Sequence, residues 1–488
     1  MAPCSALRVA CNLLLLLRAA AAAIAATTIL SYRTPSAWFG SSAIALQAAD
    51  DPVLLAATWV YPPTEILGFR PRLHNSTPAY ADDTTRDLQY QTLYVASPGA
   101  LPAAAAPPRI DALAFWNRKP HGTDGQCILL GFSSAVGPDL ALRGGGSSSS
   151  AGAPGAPPSW HYNLSSDCGN INAAVPWARF ALSDSGDLAV AWVQGAAGNL
   201  TLYALDGQSG ALRWARPVPC GTPAQCQYFL AYGADVTSDG RFVVFDEGTV
   251  GDGSAHRLHV LNAADGSPRC APLLSPGAIP VHLSPTGDFA LTATDGGAPS
   301  SGEFAIWQWS EAARDYVRTP GVGRPPLDSR GNGWTLAQYA FAVDAASGEA
   351  LVGVVWYDST LLGPSIAALY AAAAPGAGPL SAAHTEPLPG SDMANAGAVI
   401  DCAGSVCAAG FFTQRVGGPQ PTLVLLAADG GAFNYTTPGS VDSVSVAHAP
   451  SAGSGGGVYY VLATGCTSVG VCTEPGGDLV GLRVTLAA

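Results

Sequence analysis

The chain has 488 residues, 48% of them apolar and 12% charged, with 57 glycines and 39 prolines. That length allows several small domains or one large repeat domain, and the Gly and Pro content fits turn-rich β structure. The net charge of −13 excludes a basic footprint, so no nucleic-acid partner is expected, and past the N-terminus no apolar run is long enough to span a membrane.

The chain opens "MAPCSALRVACNLLLLLRAAAAAIAATT". Arg8 supplies a positive start, Leu13 to Leu17 an apolar centre, and Ala-x-Ala cleavage possibilities follow around Ala21 to Ala26. This pattern reads as a secretory signal over residues 1–26, and the other reading is an uncleaved anchor. Residues 27–488 form the mature domain, with no membrane span after the signal is removed. "TTILSYR", directly after the signal, is a strand pattern.

In "SSAIALQAADDPVLLAATWVY" two strands flank an Asp-Asp-Pro turn. An inserted loop, 62 to 88, carries the sequon at Asn75 and an acidic trio, Asp82, Asp83 and Asp87, that allows calcium. A solvated loop is the simpler reading of the trio. "LQYQTLYVAS" is expected to be the third strand of this first unit. "IDALAFWNRKPHGTDGQCILLGFSS" then repeats the first-half pattern of strand, turn and strand, with "SWHYNLSSDC" as an outer strand holding the sequon at Asn163. The tract "GGGSSSSAGAPGAPPS" between them reads as a linker-like loop within a unit rather than a domain boundary.

From residue 173 the repeat is plain. "RFALSDSGDLAVAWV" and "NLTLYALDGQSGALRW" make four antiparallel strands in one unit, with a sequon at Asn199. "GADVTSDGRFVVFDEG", "IPVHLSPTGDFALTATDGG", "YAFAVDAASGEALVGVVWYD" and "NAGAVIDCAGSVCAAGFF" open further units. The first-turn glycines Gly186, Gly240, Gly287, Gly348 and Gly404 stand 54, 47, 61 and 56 residues apart. The motif S-x-x-G-[DRE] makes a hairpin tip: Ser or Asp bonds locally to the backbone and Gly takes the positive φ. The last unit, from "DSVSVAHAPSAGSGGGVYYVLATG" to "DLVGLRVTL", lacks an outermost strand, which "TTILSYR" can supply.

A four-stranded sheet cannot bury both faces alone; radial stacking solves that. The expected fold is therefore all-β, one β-propeller of four-stranded antiparallel blades, its ring closed by the N-terminal strand. Eight blades are expected, roughly 36–110, 111–172, 173–226, 227–277, 278–333, 334–393, 394–440 and 441–488; seven is the alternative.

Of eleven cysteines, Cys4 and Cys11 leave with the signal. Three close pairs, Cys220/Cys226, Cys402/Cys407 and Cys466/Cys472, read as local disulfides of an oxidising compartment. Their spacing is not that of zinc sites and no histidine sits beside them. Nine remaining thiols leave one over; Cys270 is the expected one, and its pairing with Cys127 or Cys168 stays open. A fourth sequon stands at Asn434. The histidines, among them His256 and His259 on opposite faces of a strand, read as isolated side chains, so no metal residues are assigned. Trp307 and Trp309 share a strand face and suit packing between blades.

"SPTGDFALTATDGG" with "FAIWQW" resembles a WD-type repeat, and "LYALDGQSGALRW" resembles the repeats of YVTN-type and quinoprotein (PQQ-type) propellers. The resemblance implies the fold. For quinoproteins it would also imply a cofactor held on the axis by a stacking tryptophan, often with a disulfide of adjacent cysteines, a calcium site and an aspartate base. Here there is no Cys-Cys dipeptide, and only Asp206, Gly210 and Trp214 keep the repeat hallmark; Cys270 stands where the next Trp would be. No G-x-S-x-G in context, H-E-x-x-H or Walker loop occurs. The sequence thus points to a secreted or cell-surface glycoprotein, a binding or structural module for an extracellular protein or glycan. No catalytic residues and no cofactor are assigned. The alternative is a propeller enzyme, quinoprotein-like or a hydrolase or lyase, with an axial site.

Overall fold

In the computed structural model the described residues are 24–34, 38–48, 51–59, 66–69, 80–82, 95–96, 112–118, 126–132, 160–164, 178–183, 185–194, 200–218, 234–247, 256–275, 282–293, 304–323, 334–343, 350–358, 365–372, 381–388, 398–411, 422–428, 430–437, 439–449, 457–466 and 476–486. Strand β1 (Ile24–Thr34) comes first. Sheet 1 holds β2 (Trp38–Ala48), β3 (Asp51–Trp59), β4 (Ile66–Phe69) and β5 (Tyr80–Asp82). Sheet 2 holds β6 (Val95–Ala96), β7 (Ala112–Arg118), β8 (Gln126–Phe132) and β9 (Trp160–Asn163). Sheet 3 holds β10 (Ala178–Leu182), β11 (Leu188–Gln194), β12 (Leu200–Asp206) and β13 (Leu212–Val218). Sheet 4 holds β14 (Ala234–Val236), β15 (Phe242–Glu247), β16 (His256–Asn262) and β17 (Leu273–Ser275). Sheet 5 holds β18 (His282–Leu283), β19 (Phe289–Ala293), β20 (Phe304–Ser310) and β21 (Asp315–Gly323). Sheet 6 holds β22 (Trp334–Val343), β23 (Ala350–Asp358), β24 (Ser365–Ala372) and β25 (Ser381–Leu388). Sheet 7 holds β26 (Ala398–Ala403), β27 (Val406–Phe411), β28 (Leu423–Ala427) and β29 (Ala432–Tyr435). Sheet 8 holds β30 (Ser443–Ala449), β31 (Val458–Cys466) and β32 (Gly477–Leu486), with β1 paired to β32 as its outermost strand.

The strands are nearly continuous in apolar residues because both faces of each sheet are covered. Successive side chains point to opposite faces. In β23, Val352, Val354 and Trp356 pack with Leu291 and Ile306 of sheet 5, while Leu351 and Val355 pack with Ala409 and Leu426 of sheet 7. The same interleaving joins sheets 2 and 3 through Leu129 and Phe180, 3 and 4 through Val190 and Val243, 4 and 5 through Leu258 and Ala290, and 7 and 8 through Leu425 and Val461. Sheet 8 packs on sheet 1 through Leu462 and Leu54, so the last sheet meets the first. Each fully buried aliphatic side chain stabilises by about 1.5–3 kcal/mol.

The hairpin tips explain the repeated motif. Ser183, Thr237 and Ser284 each accept a hydrogen bond through Oγ (Oγ1 in Thr237) from the N–H five residues on, at Leu188 (3.1 Å), Phe242 (3.0 Å) and Phe289 (3.0 Å). The glycines between them take φ of 72°, 68° and 76° at Gly186, Gly240 and Gly287, the left-handed region that favours glycine. The tips also bind their neighbours: Ser185 N–H donates to Ser238 O at 3.3 Å, and Ser238 N–H to Pro285 O at 2.7 Å.

The structure differs from expectation in three places. "LQYQTLYVAS" does not complete the first unit: Val95–Ala96 is the first strand of sheet 2, paired with β7. The blade boundary expected after residue 110 therefore falls before Val95, and β7 and β8 are the second and third strands of sheet 2, not its first two. The third and fourth strands of sheet 1, β4 and β5, lie in what read as the 62–88 insertion. Strands of three or four residues are too short to show a period of two. The third difference is at the N-terminus, where β1 begins at Ile24, inside the expected signal 1–26.

Candidate functional site

The innermost strand of each sheet has one edge with no strand beside it, so its N–H and C=O groups need other partners. Side chains of neighbouring inner strands supply them. Ser42 of β2 donates its N–H to Ser443 Oγ at 3.1 Å, and its carbonyl accepts from Ser445 Oγ at 2.8 Å. The Ser42 hydroxyl lies 2.9 Å from Ser443 Oγ and 3.0 Å from Ser445 Oγ. Asp401 of β26 accepts from Val446 N–H of sheet 8 at 2.7 Å through Oδ2 and from Cys402 N–H at 2.9 Å through Oδ1. Asp235 of β14 accepts from Val236 N–H at 2.8 Å. The serine hydroxyls and the Asp401 carboxylate hold adjacent inner strands together, whereas the Asp235 bond lies within its own strand. Among the described residues no group of three or more His, Cys, Asp or Glu is placed to hold a metal ion.

A second set of contacts lies between outer strands. Trp160 of sheet 2 donates its indole N–H to Gly207 O of sheet 3 at 2.8 Å. Its ring covers Gly210 so closely that a Cβ there would stand 2.6 Å from Trp160 Cδ2. Trp214 of sheet 3 does the same one unit later, donating to Ala263 O at 2.8 Å and covering Gly266, while Arg216 donates to Gly266 O at 2.8 Å. Trp214, the tryptophan of the repeat hallmark, is thus a packing residue between two sheets.

Where the next tryptophan would stand, the chain has Arg269-Cys270, and the guanidinium takes over. Its carbon lies 3.7 Å from the Trp309 ring centroid and 3.9 Å from that of Phe242, a cation between two π faces. It donates to Gly287 O and to Tyr316 Oη, both at 2.8 Å, and Tyr316 O–H donates to Gly287 O at 2.7 Å. Burial raises the Tyr316 pKa above its ordinary value. Burial likewise pushes the free Cys270 thiol up to about 11, with Asp315 adding to the shift, so it stays protonated and a poor nucleophile. Trp307 and Trp309 both pack against the core between sheets 4 and 5.

The remaining expected residues fall as follows. Asn163 ends β9 and Asn434 lies in β29, both outermost strands, and both side chains are exposed. Asn75 and Asn199 lie outside the described residues. Cys402 and Cys407 are directly paired across β26–β27 and form a disulfide. It packs against Gly353 of sheet 6, where a Cβ would stand 2.7 Å from Cys402 Sγ. Cys466 is disulfide-bonded; Cys472, Cys220, Cys226 and Cys168 lie outside the described residues, as does the side chain of Cys127. His256 and His259 alternate along β16, and His259 stacks on Phe245 at 4.5 Å. Asp82 ends β5 and Asp83 and Asp87 lie outside the described residues.

The contacts of Trp160, Arg269 and Asp401 were missed in the sequence. Trp160 carried a signal, since a Trp recurs 54 residues on at Trp214; Asp401 carried none.

Four-stranded antiparallel sheets, each packed on the next with the last packed on the first, decide the architecture. The chain is a β-propeller. No family model matches it, and no curated protein matches it. Among solved structures it is similar to the quinohemoprotein alcohol dehydrogenase from Comamonas testosteroni, at 12% identity, covering 94% of this chain and 76% of that one, with a TM-score of 0.49. It is similar to a europium-containing methanol dehydrogenase, at 12% identity over 94% and 93% of the two chains, TM-score 0.39. It is also similar to the Dos1 propeller, at 9% identity over 88% and 74%, TM-score 0.37. The chemistry named for those proteins is theirs.

Proposed function

We propose that this propeller is a secreted or cell-surface glycoprotein that acts as an extracellular binding or structural module for a protein or glycan partner. One observation carries the reading. The polar groups that the described inner strands place at their free edges, Asp235, Asp401 and the Ser42–Ser443–Ser445 hydroxyls, bond to the backbone of their own or adjacent strands. They stabilise the ring rather than converge on a reacting atom. Two further features support the setting: sequon asparagines exposed on outermost strands and a disulfide within a hairpin.

The test uses the glycosylated full chain from a secreting eukaryotic host. Binding to extracellular proteins or glycans is scored alongside calcium- and quinone-supplemented dye reduction. Saturable binding without turnover supports the module. Dye reduction with an absorbing bound quinone would replace it with an axial-site enzyme.

A further inference from the structure

The small residues after the apolar leader centre allow several Ala-x-Ala cuts, among them after Ala23 and after Ala25. The tertiary structure separates them. Ile24 is the first residue of β1, and Ile24, Ala25 and Ala26 pair with Leu486, Thr485 and Val484 of β32. The Ile24 side chain is 8% exposed and belongs to the core between sheets 7 and 8, with Val406, Leu425 and Val484. A cut after Ala25 or Ala26 removes that side chain from the core and shortens the one strand that covers the outer edge of β32.

We infer that leader removal stops at or before the Ala23–Ile24 bond, so that the mature chain keeps Ile24 and the whole of β1. The inference rests on the secreted reading. The reaction is peptide hydrolysis: water adds across one amide bond, leaving a carboxylate on the leader alanine and an ammonium on the new N-terminus. Ala21 and Ala23 are the small pair that fits this cut; Ile24 itself occupies the outer small-residue position for a cut after Ala26, and the pair Ala23 and Ala25, which fits a cut after Ala25, is set aside by the place of Ile24 in the core. Strand β1 is then kept whole in the mature chain, paired with β32.

N-terminal sequencing of the secreted chain tests this directly. A sequence starting at Ile24, or at an alanine before it, is expected; a start at Ala26 or Thr27 overturns the inference and leaves secretion standing. A full-length chain retained in the cell with its leader intact overturns both readings. A second measurement does not depend on the protease: chains starting at Ile24 and at Thr27 are secreted behind an unrelated leader. The Thr27 chain, and an Ile24→Ser chain starting at Ile24, are expected to unfold at a lower temperature than the Ile24 chain; equal midpoints overturn the argument from the core.

Discussion

At the residue scale, the contacts between units depend on positions where a side chain is absent or polar for one reason. Gly210 has φ of 70° and lies under the Trp160 ring, whereas Gly430 has φ of 91° with nothing within 4 Å of an added Cβ. Gly430→Ala pays only the backbone penalty, about 1–2 kcal/mol. Gly210→Ala pays that and must also displace the indole, so its loss in chemical denaturation is expected to be at least twice as large. Trp214→Phe keeps most of the apolar contact but leaves Ala263 O without its donor, a cost of about 1–3 kcal/mol in the same measurement. Asp442 behaves differently. Burial raises its pKa to about 6, against a backbone N–H from Cys466 that acts to lower it. A carboxyl whose folded pKa lies above its unfolded value of 3.8 adds stability below pH 4, and that stability is lost as pH rises through 6. Asp442→Asn, which retains an acceptor oxygen, is expected to be more stable than the parent at pH 7.5 by roughly 3 kcal/mol, with the gap closing by pH 4. Denaturation curves at each pH read the difference.

At the element scale, the hairpin β26–β27 and the strand β1 do work that local sequence hints at but does not locate. The Cys402–Cys407 bridge joins directly opposed residues and fills the space left by Gly353 in the next sheet. Its loop is short, so replacing both cysteines by alanine is expected to cost about 2 kcal/mol of stability in denaturant titrations. Strand β1 covers the free edge of β32, and Arg33 near its end bonds the buried Asp478 through both carboxylate oxygens, at 2.7 and 3.1 Å. A chain that begins after Thr34 leaves that edge and that carboxylate open. It is expected to associate, which light scattering during gel filtration detects, and an added peptide of residues 24–34 is expected to reverse the association. The sequence placed the strand "TTILSYR" as the outermost strand of the last unit, and β1 pairs with β32 there. It could not show β4 or β5, whose three or four residues carry no period, and it put the strand that holds β6 in the wrong unit.

At the scale of the whole molecule, the two faces of each of sheets 3 to 8 belong to two different cores, which is why the apolar runs look unbroken along the chain. The repeat was legible for this reason: three hairpin tips carry a hydroxyl acceptor and a glycine at the same spacing, Ser183–Gly186, Thr237–Gly240 and Ser284–Gly287. Legible too were the all-β class, the four-stranded unit, the disulfide at Cys402–Cys407 and the need for a strand to complete the last unit. These are set by local chemistry or by counting. The tertiary structure decided which strand belongs to which sheet near Val95, that Arg269 stands in for a tryptophan between Phe242 and Trp309, and that Asp401 and the three serines bond across inner strands. It also decided that Ile24 belongs to the core. Such assignments depend on which distant residues meet when sheets stack, and a contact across some four hundred residues, such as Ser42 with Ser443, leaves no periodicity in the chain from which to read it.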